Sequence, residues 1–176
     1  GTFTVTTGNI IQSRDSVGRL CTITGATWGN QGRTFNPATP DYISIADSAA
    51  FSISIVTVLA WIYPTGAAAT RAIFTKHNAA NTRSYALRWD ATNKLIWSLQ
   101  GSGGSGDISS LTSLTASAWQ LVVATHDGAA AQNIYLNGVI DNTGTANIQT
   151  MDPAADKAPA IGILGLDLVN WAWAGK

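Results

Sequence analysis

Glutamate is missing from this 176-residue chain. Its ten acidic residues are all aspartates: Asp15, Asp41, Asp47, Asp90, Asp107, Asp127, Asp141, Asp152, Asp156 and Asp167. Enzymes whose acid and base are glutamates are thereby excluded before any motif is read. Charge of either sign is scarce, at 11% of residues, against about a quarter in average proteins. Ten lysines and arginines balance the ten aspartates, for a formal net charge of zero. Without a positive excess there is no strong field to track phosphates, which argues against nucleic acid and anionic membrane as partners. The single cysteine, Cys21, excludes an internal disulfide. Its neighbours Leu20 and Ile23 mark it as a small buried hydrophobe. No apolar run approaches the roughly 18 residues of a spanning helix; the longest, Val58 to Tyr63, suits a buried strand. The first residue is Gly1 rather than methionine, as expected after removal of a leader or an upstream module.

What is present points to one packed domain. Hydrophobic residues make up 45% of the chain, too many for a disordered composition, and the length suits a single core. Thr, Ser, Asn and Gln carry most of the polarity, a composition that correlates with extracellular, secreted or virion-surface domains. Short β-prone runs recur between turn signals, the pattern of a sandwich or barrel. They are Thr2 to Thr7, Leu20 to Thr24, Tyr42 to Ile45, Ala72 to Thr75, Ser84 to Trp89, Lys94 to Gln100, Trp119 to His126, Asn133 to Leu136 and Ala160 to Leu164. Ile53 to Tyr63 is apolar on both parities and is expected to be a strand covered on both sides. Asn137-Gly138 is the strongest hairpin signal, since a type I′ turn needs positive φ at both central residues. Gly101 to Gly106 matches G-x-G-x-x-G, but no helix follows to meet a pyrophosphate. It reads as a flexible loop, and Ser109 to Ser117 as at most a turn.

Several ordered motifs carry a family resemblance. They are Gly25-Ala26-Thr27-Trp28, Gly32-Arg33, Asp41 to Ser48, Ala60-Trp61-Ile62-Tyr63-Pro64, Tyr85-Ala86-Leu87 and Lys94 to Trp97. The most specific are Trp119-Gln120-Leu121-Val122-Val123-Ala124-Thr125 and Ile134-Tyr135-Leu136-Asn137-Gly138. From about Asp15 onward the chain resembles laminin-G-like domains of the concanavalin A-like lectin/glucanase superfamily. The resemblance implies an all-β, concanavalin A-like jelly-roll sandwich of two antiparallel sheets. Residues 1–176 would form that single domain, with about 1–13 as an N-terminal strand or linker. It also implies a last strand beginning where the sequence ends, at Lys176; either that strand has been removed or Thr2 to Thr7 fills its place. Sugar binding is common among relatives, and no cofactor is required. Asp15, in Asp15-Ser16-Val17-Gly18, matches a turn that can hold a structural calcium ion in the family, while a plain Asx-turn is the other reading.

The superfamily's glucanases use paired acids on one strand, which this chain lacks. Its closest aspartate pair, Asp152 and Asp156, sits in a proline-broken loop. Retaining hydrolysis needs two carboxyls about 5–5.5 Å apart in different protonation states. His77 and His126 stand outside any lyase-like constellation, and His126 reads as a strand-end residue before the Asp127-Gly128 turn. Binding is better supported, because seven tryptophans are many for this length and sugar C–H faces stack on aromatic rings. Trp61 and Trp119 are expected in the core. Trp28, Trp89, Trp97, Trp171 and Trp173 are the candidate platforms. Asn81 and Arg83, in the polar loop from His77, and Arg88, on the parity opposite Leu87, are the candidate polar partners. The leading expectation is a non-catalytic carbohydrate-binding module for a polysaccharide or oligosaccharide. It would form part of a larger extracellular protein, as a monomer or weakly self-associating. The alternatives are a structural or adhesion domain of a virion or cell-surface protein and a glycan-active enzyme.

Overall fold

A computed structural model describes residues 9–39, 41–65, 69–77, 83–101, 104–145, 158–163, 173 and 175–176, with backbone alone at 77 and 83. The strands are β1 (Ile10–Gln12), β2 (Leu20–Thr24), β3 (Thr27–Gly29), β4 (Gly32–Thr34), β5 (Tyr42–Ile45), β6 (Ile55–Ile62) and β7 (Arg71–His77). They continue as β8 (Arg83–Trp89), β9 (Lys94–Gly101), β10 (Gly104–Ser113), β11 (Gln120–Asp127), β12 (Ala131–Leu136), β13 (Val139–Thr145) and β14 (Ala160–Ile161). The helical element among the described residues is a 3-10 turn, Ala49–Phe51. A large antiparallel sheet has the order β1-β2-β5-β14-β7-β8-β9-β10, and a smaller one the order β13-β12-β11-β6. The third sheet is the β3–β4 hairpin.

Alternation decides which side chains meet between the sheets. On β8 and β9 the pairs Tyr85–Leu99, Leu87–Trp97 and Trp89–Leu95 face inward together. From the smaller sheet come Val56, Val58, Ile62, Val122, Ala124, Ile134 and Leu136, all in one cluster with the first set. Burying each large apolar side chain contributes about 1.5–3 kcal/mol, so this seam holds the sandwich closed. Cys21 is part of it, and burial raises its thiol pKa. At the far end of β12, Asn137 and Gly138 have φ of 51° and 85°, the turn expected from their sequence.

The structure departs from two sequence expectations. β6 is covered on one face only: Val56, Val58 and Ile62 are buried, whereas Ile55, Leu59 and Trp61 are exposed. Apolar residues on both parities thus mark an uncovered outer face rather than a second core. From Gly104 on, the polar stretch is strand and not loop or turn. Gly104 to Ser109 pairs with Gly101 back to Ile96, making a long edge strand of a segment poor in β-formers. The Thr2 to Thr7 strand lies outside the described residues.

Candidate functional site

The β3–β4 hairpin has a two-residue turn, Asn30-Gln31, between glycines at 29 and 32. Its register sets Trp28 directly opposite Arg33. Trp28 is 70% exposed, and the Arg33 guanidinium carbon lies 4.9 Å from its ring centre, a cation–π contact that braces the indole. Arg33 Nη1 donates to Ala26 O at 3.0 Å, and its Nε is buried without a partner. Behind the hairpin stands a second aromatic pair. Tyr63 and Trp119 have ring centres 5.6 Å apart and planes inclined by 58°. A Cβ at Gly32 would sit 3.9 Å from the Trp119 ring, so hairpin and pair are in contact.

Gly175 and Lys176 stitch these parts together. Gly175 bridges both Phe35, just after β4, and Pro64, just after β6. Tyr63 N donates to Lys176 O at 2.7 Å, and Lys176 N donates back to Tyr63 O at 3.0 Å. Position 175 must be glycine: its φ is 141°, and a Cβ would lie 2.1 Å from Tyr63 O. The Lys176 ammonium is 5.5 Å from the Tyr63 ring centre and donates to Gln31 Oε1 at 3.3 Å. Lys176 and Trp61 also line a cleft of about 80 Å³ with Phe35, Ile73, Ile161 and Trp173 beneath. Trp61 pairs across the sheet with Leu121, and Leu59 with Val123, so the exposed row of β6 runs on from this patch. The result is a surface of aromatic faces with a guanidinium, an ammonium and an amide among them.

Of the candidate platforms, Trp28 alone among the described ones is at this surface. Trp89 and Trp97 have no exposed area and Trp173 has almost none. Trp89 packs on Trp173 at 5.8 Å and Trp97 on Tyr85 at 6.3 Å. Trp89 and Trp97 point between the sheets from their strands and Trp173 is buried against Trp89, so none presents a stacking face. Arg88 does look out from the large sheet, as parity indicates. Its Nε donates to Ser98 Oγ at 3.1 Å and its Nη2 to Asp107 Oδ2 at 2.6 Å, on the face away from the core. That places it on a different surface from Trp28. Asn81 and Trp171 lie outside the described residues, as does the Arg83 side chain.

Trp61 and Trp119, assigned to the core from hydrophobicity, are exposed and half-buried respectively. Gln31, Arg33, Tyr63 and Lys176 were missed. The glycine-bracketed turn was the available signal for Arg33; nothing local points to Lys176. Asp15 Oδ1 accepts from Ser13 Oγ, Val17 N and Gly18 N, and Oδ2 is paired with Arg19. The Ser13 hydroxyl leads the contacts that hold this carboxyl below its ordinary value. These contacts make Asp15 the acceptor of an Asx-turn, and among the described residues no group of three or more His, Cys, Asp or Glu is placed to hold a metal ion. His126 is the penultimate residue of β11, near the strand end expected for it, with Nδ1 2.7 Å from Ser54 O.

Comparison with known proteins gives the same fold. The profile described as Concanavalin A-like lectin/glucanases superfamily matches residues 37–166. The binding domain of Paraclostridial Mosquitocidal Protein 1 superposes with a TM-score of 0.69 at 14% identity, covering 97% of this chain and 45% of that one. The receptor binding domain of the botulinum neurotoxin C/D mosaic serotype gives 0.66 at 14%, over 87% and 40%. Domain 4 of an extracellular arabinanase from Geobacillus stearothermophilus, solved with arabinotriose, gives 0.59 at 19%, over 96% and 71%. The chain spans less than half the length of the toxin domains it matches. No curated protein matches the sequence. At these identities the structural likeness is one of fold.

Proposed function

Since the chain belongs to the concanavalin A-like lectin/glucanase superfamily, we propose that it is a non-catalytic carbohydrate-binding module acting through the Trp28 hairpin and the Tyr63–Trp119 pair. The exposed indole of Trp28 carries this reading. A ring left in water at 70% exposure, yet held by Arg33, is preorganised for the flat C–H face of a sugar. Gln31, Arg33 and Lys176 supply donors for hydroxyls beside the rings. The arabinanase domain, solved with a trisaccharide, supports sugar as the ligand class and adds arabinan to the candidates. We read the module as part of a longer extracellular or surface protein. Among the described residues no helix is long and apolar enough to cross a membrane.

Lack of catalysis is part of the proposal and rests on the acids. Asp107 is on the outer face of the large sheet, where its carboxylate is paired with Arg88. Affinity electrophoresis in gels containing β-glucan, xylan, mannan, pectin or arabinan tests the reading. Retention by at least one glycan is expected. Trp28→Ala should weaken it about threefold to tenfold, as for the loss of one aromatic contact. Unretarded migration of the wild-type protein in every gel would sink the proposal in favour of a structural or adhesion domain. The observation favouring that second reading is the exposed apolar row Ile55, Leu59 and Trp61.

A further inference from the structure

The whole chain is neutral, and two of its cations, Arg33 and Lys176, stand on the aromatic rings of the platform. Asp15, Asp47 and Asp107 are ion-paired with Arg19, Lys76 and Arg88, all away from the hairpin. Asp90 and Asp127 accept from backbone amides of their own turns, Asp141 from Leu111 N and Thr112 N, and Asp41, packed against Gly25 at the foot of the hairpin, from Asn36 N and Thr39 Oγ1. Arg33 and Lys176 therefore face aromatic rings, and neither has a carboxylate partner among the described residues. With Nη1 on Ala26 O and Nε buried, Arg33 keeps Nη2 for a ligand. Lys176 uses one of its three protons on Gln31. Two cations beside stacking faces, neither ion-paired to a carboxylate among the described residues, match a sugar that brings its own.

We propose that this surface selects acidic glycans, in which a uronate carboxylate lies against Arg33 and Lys176 while the sugar ring stacks on Trp28. The inference rests on the carbohydrate-binding reading and names its ligand class. A carboxylate gains charge-assisted hydrogen bonds there, whereas the neutral form of the same sugar keeps only the stacking. A difference of about tenfold in affinity is expected, the factor given by one hydrogen bond to a charged group.

Polygalacturonate, alginate and hyaluronan, each beside its carboxyl-reduced counterpart, provide the test by affinity electrophoresis at low and high salt. At least one acidic chain should be retained about tenfold more strongly than its reduced form, with the difference shrinking as salt rises. Arg33→Gln should abolish most of that difference, and Arg33→Lys should retain part of it. Near-UV circular dichroism checks that both variants keep the fold. Equal retention of acidic and reduced chains would overturn the proposal and leave the carbohydrate reading standing. So would retention by dextran sulfate matching that by the best uronate, since bulk charge would then suffice. Retention by none of these chains, alongside binding to a neutral glycan, overturns the proposal alone. Failure of every glycan, acidic or neutral, removes the carbohydrate reading with it.

Discussion

Trp28 and Trp89 are chemically alike, and their neighbours separate them. Trp89 is enclosed by Trp173 and the Leu95 strand partner, so Trp89→Ala leaves a cavity between the sheets. It should cost about 3–5 kcal/mol in urea unfolding. Trp28→Ala removes an exposed ring and one cation–π contact, and should cost about 0.5–1 kcal/mol. A similar loss at both positions would contradict the burial that assigns one to the core and the other to the site. Parity was enough to read Arg88 as outward and Leu87 as inward from the sequence. The same parity turns Trp89 inward, but its place at the hairpin tip left it open as a platform, because the residue that covers it, Trp173, is distant in the chain. Parity failed at Trp61, where Ile55, Val56, Leu59 and Ile62 make both parities of β6 apolar. Hydrophobicity alone cannot say which face of such a strand meets the other sheet.

Elements with a local signal were legible: the Asn137-Gly138 hairpin, the β8–β9 hairpin and the alternating β11. β10 was not, because Gly104 to Ser113 has glycine and serine where strands usually carry branched or aromatic residues. Tertiary bonds hold it instead. Ser105 to Ser109 are in register with β9, and on the other edge the Asp141 carboxylate accepts from Leu111 N and Thr112 N. Asn142 Nδ2 adds a bond to Ser109 O at 2.7 Å. Partial burial pushes the Asp141 carboxyl up, but the bonds from Thr112 and Leu111 outweigh it and leave the pKa below its ordinary 3.8. A depressed carboxyl stabilises the native edge above that value, and the contribution fades as pH falls through the folded pKa. Asp141→Ala should therefore speed hydrogen exchange at the Leu111 and Thr112 amides at neutral pH, with little change in β8. Unaltered exchange at those two amides would mean that Asp141 does not hold the edge. The same substitution bares backbone donors at a sheet edge, so more self-association is expected in sedimentation runs.

For the sandwich as a whole, titration sets the limits of stability. On the acid side, the Ala129 amide leads the contacts that lower the Asp127 carboxyl, opposed by burial and aided by the amides of Ala130 and Ala131. With Asp15 and Asp141 also depressed, native stability should fall as pH drops below about 3.8, where the unfolded carboxyls take up protons first. On the alkaline side, Tyr85 governs. Burial between the sheets, and then the nearby Asp47 carboxylate, push its hydroxyl from 10.0 up to about 12. The raised value means that the folded state keeps a proton which the unfolded state releases. Its contribution is full below pH 10, declines between 10 and 12, and is gone above. Two pH units correspond to at most about 2–3 kcal/mol. The test is calorimetric Tm against pH, paired with tyrosinate absorbance of the folded protein. Tyr85→Phe forfeits the hydrogen bond to Phe51 O and should cost about 1 kcal/mol at neutral pH, yet its Tm should fall less steeply than wild type above pH 10. An identical alkaline slope in the variant would show that deprotonation elsewhere opens the sandwich, and that Tyr85 does not link its two sheets to pH.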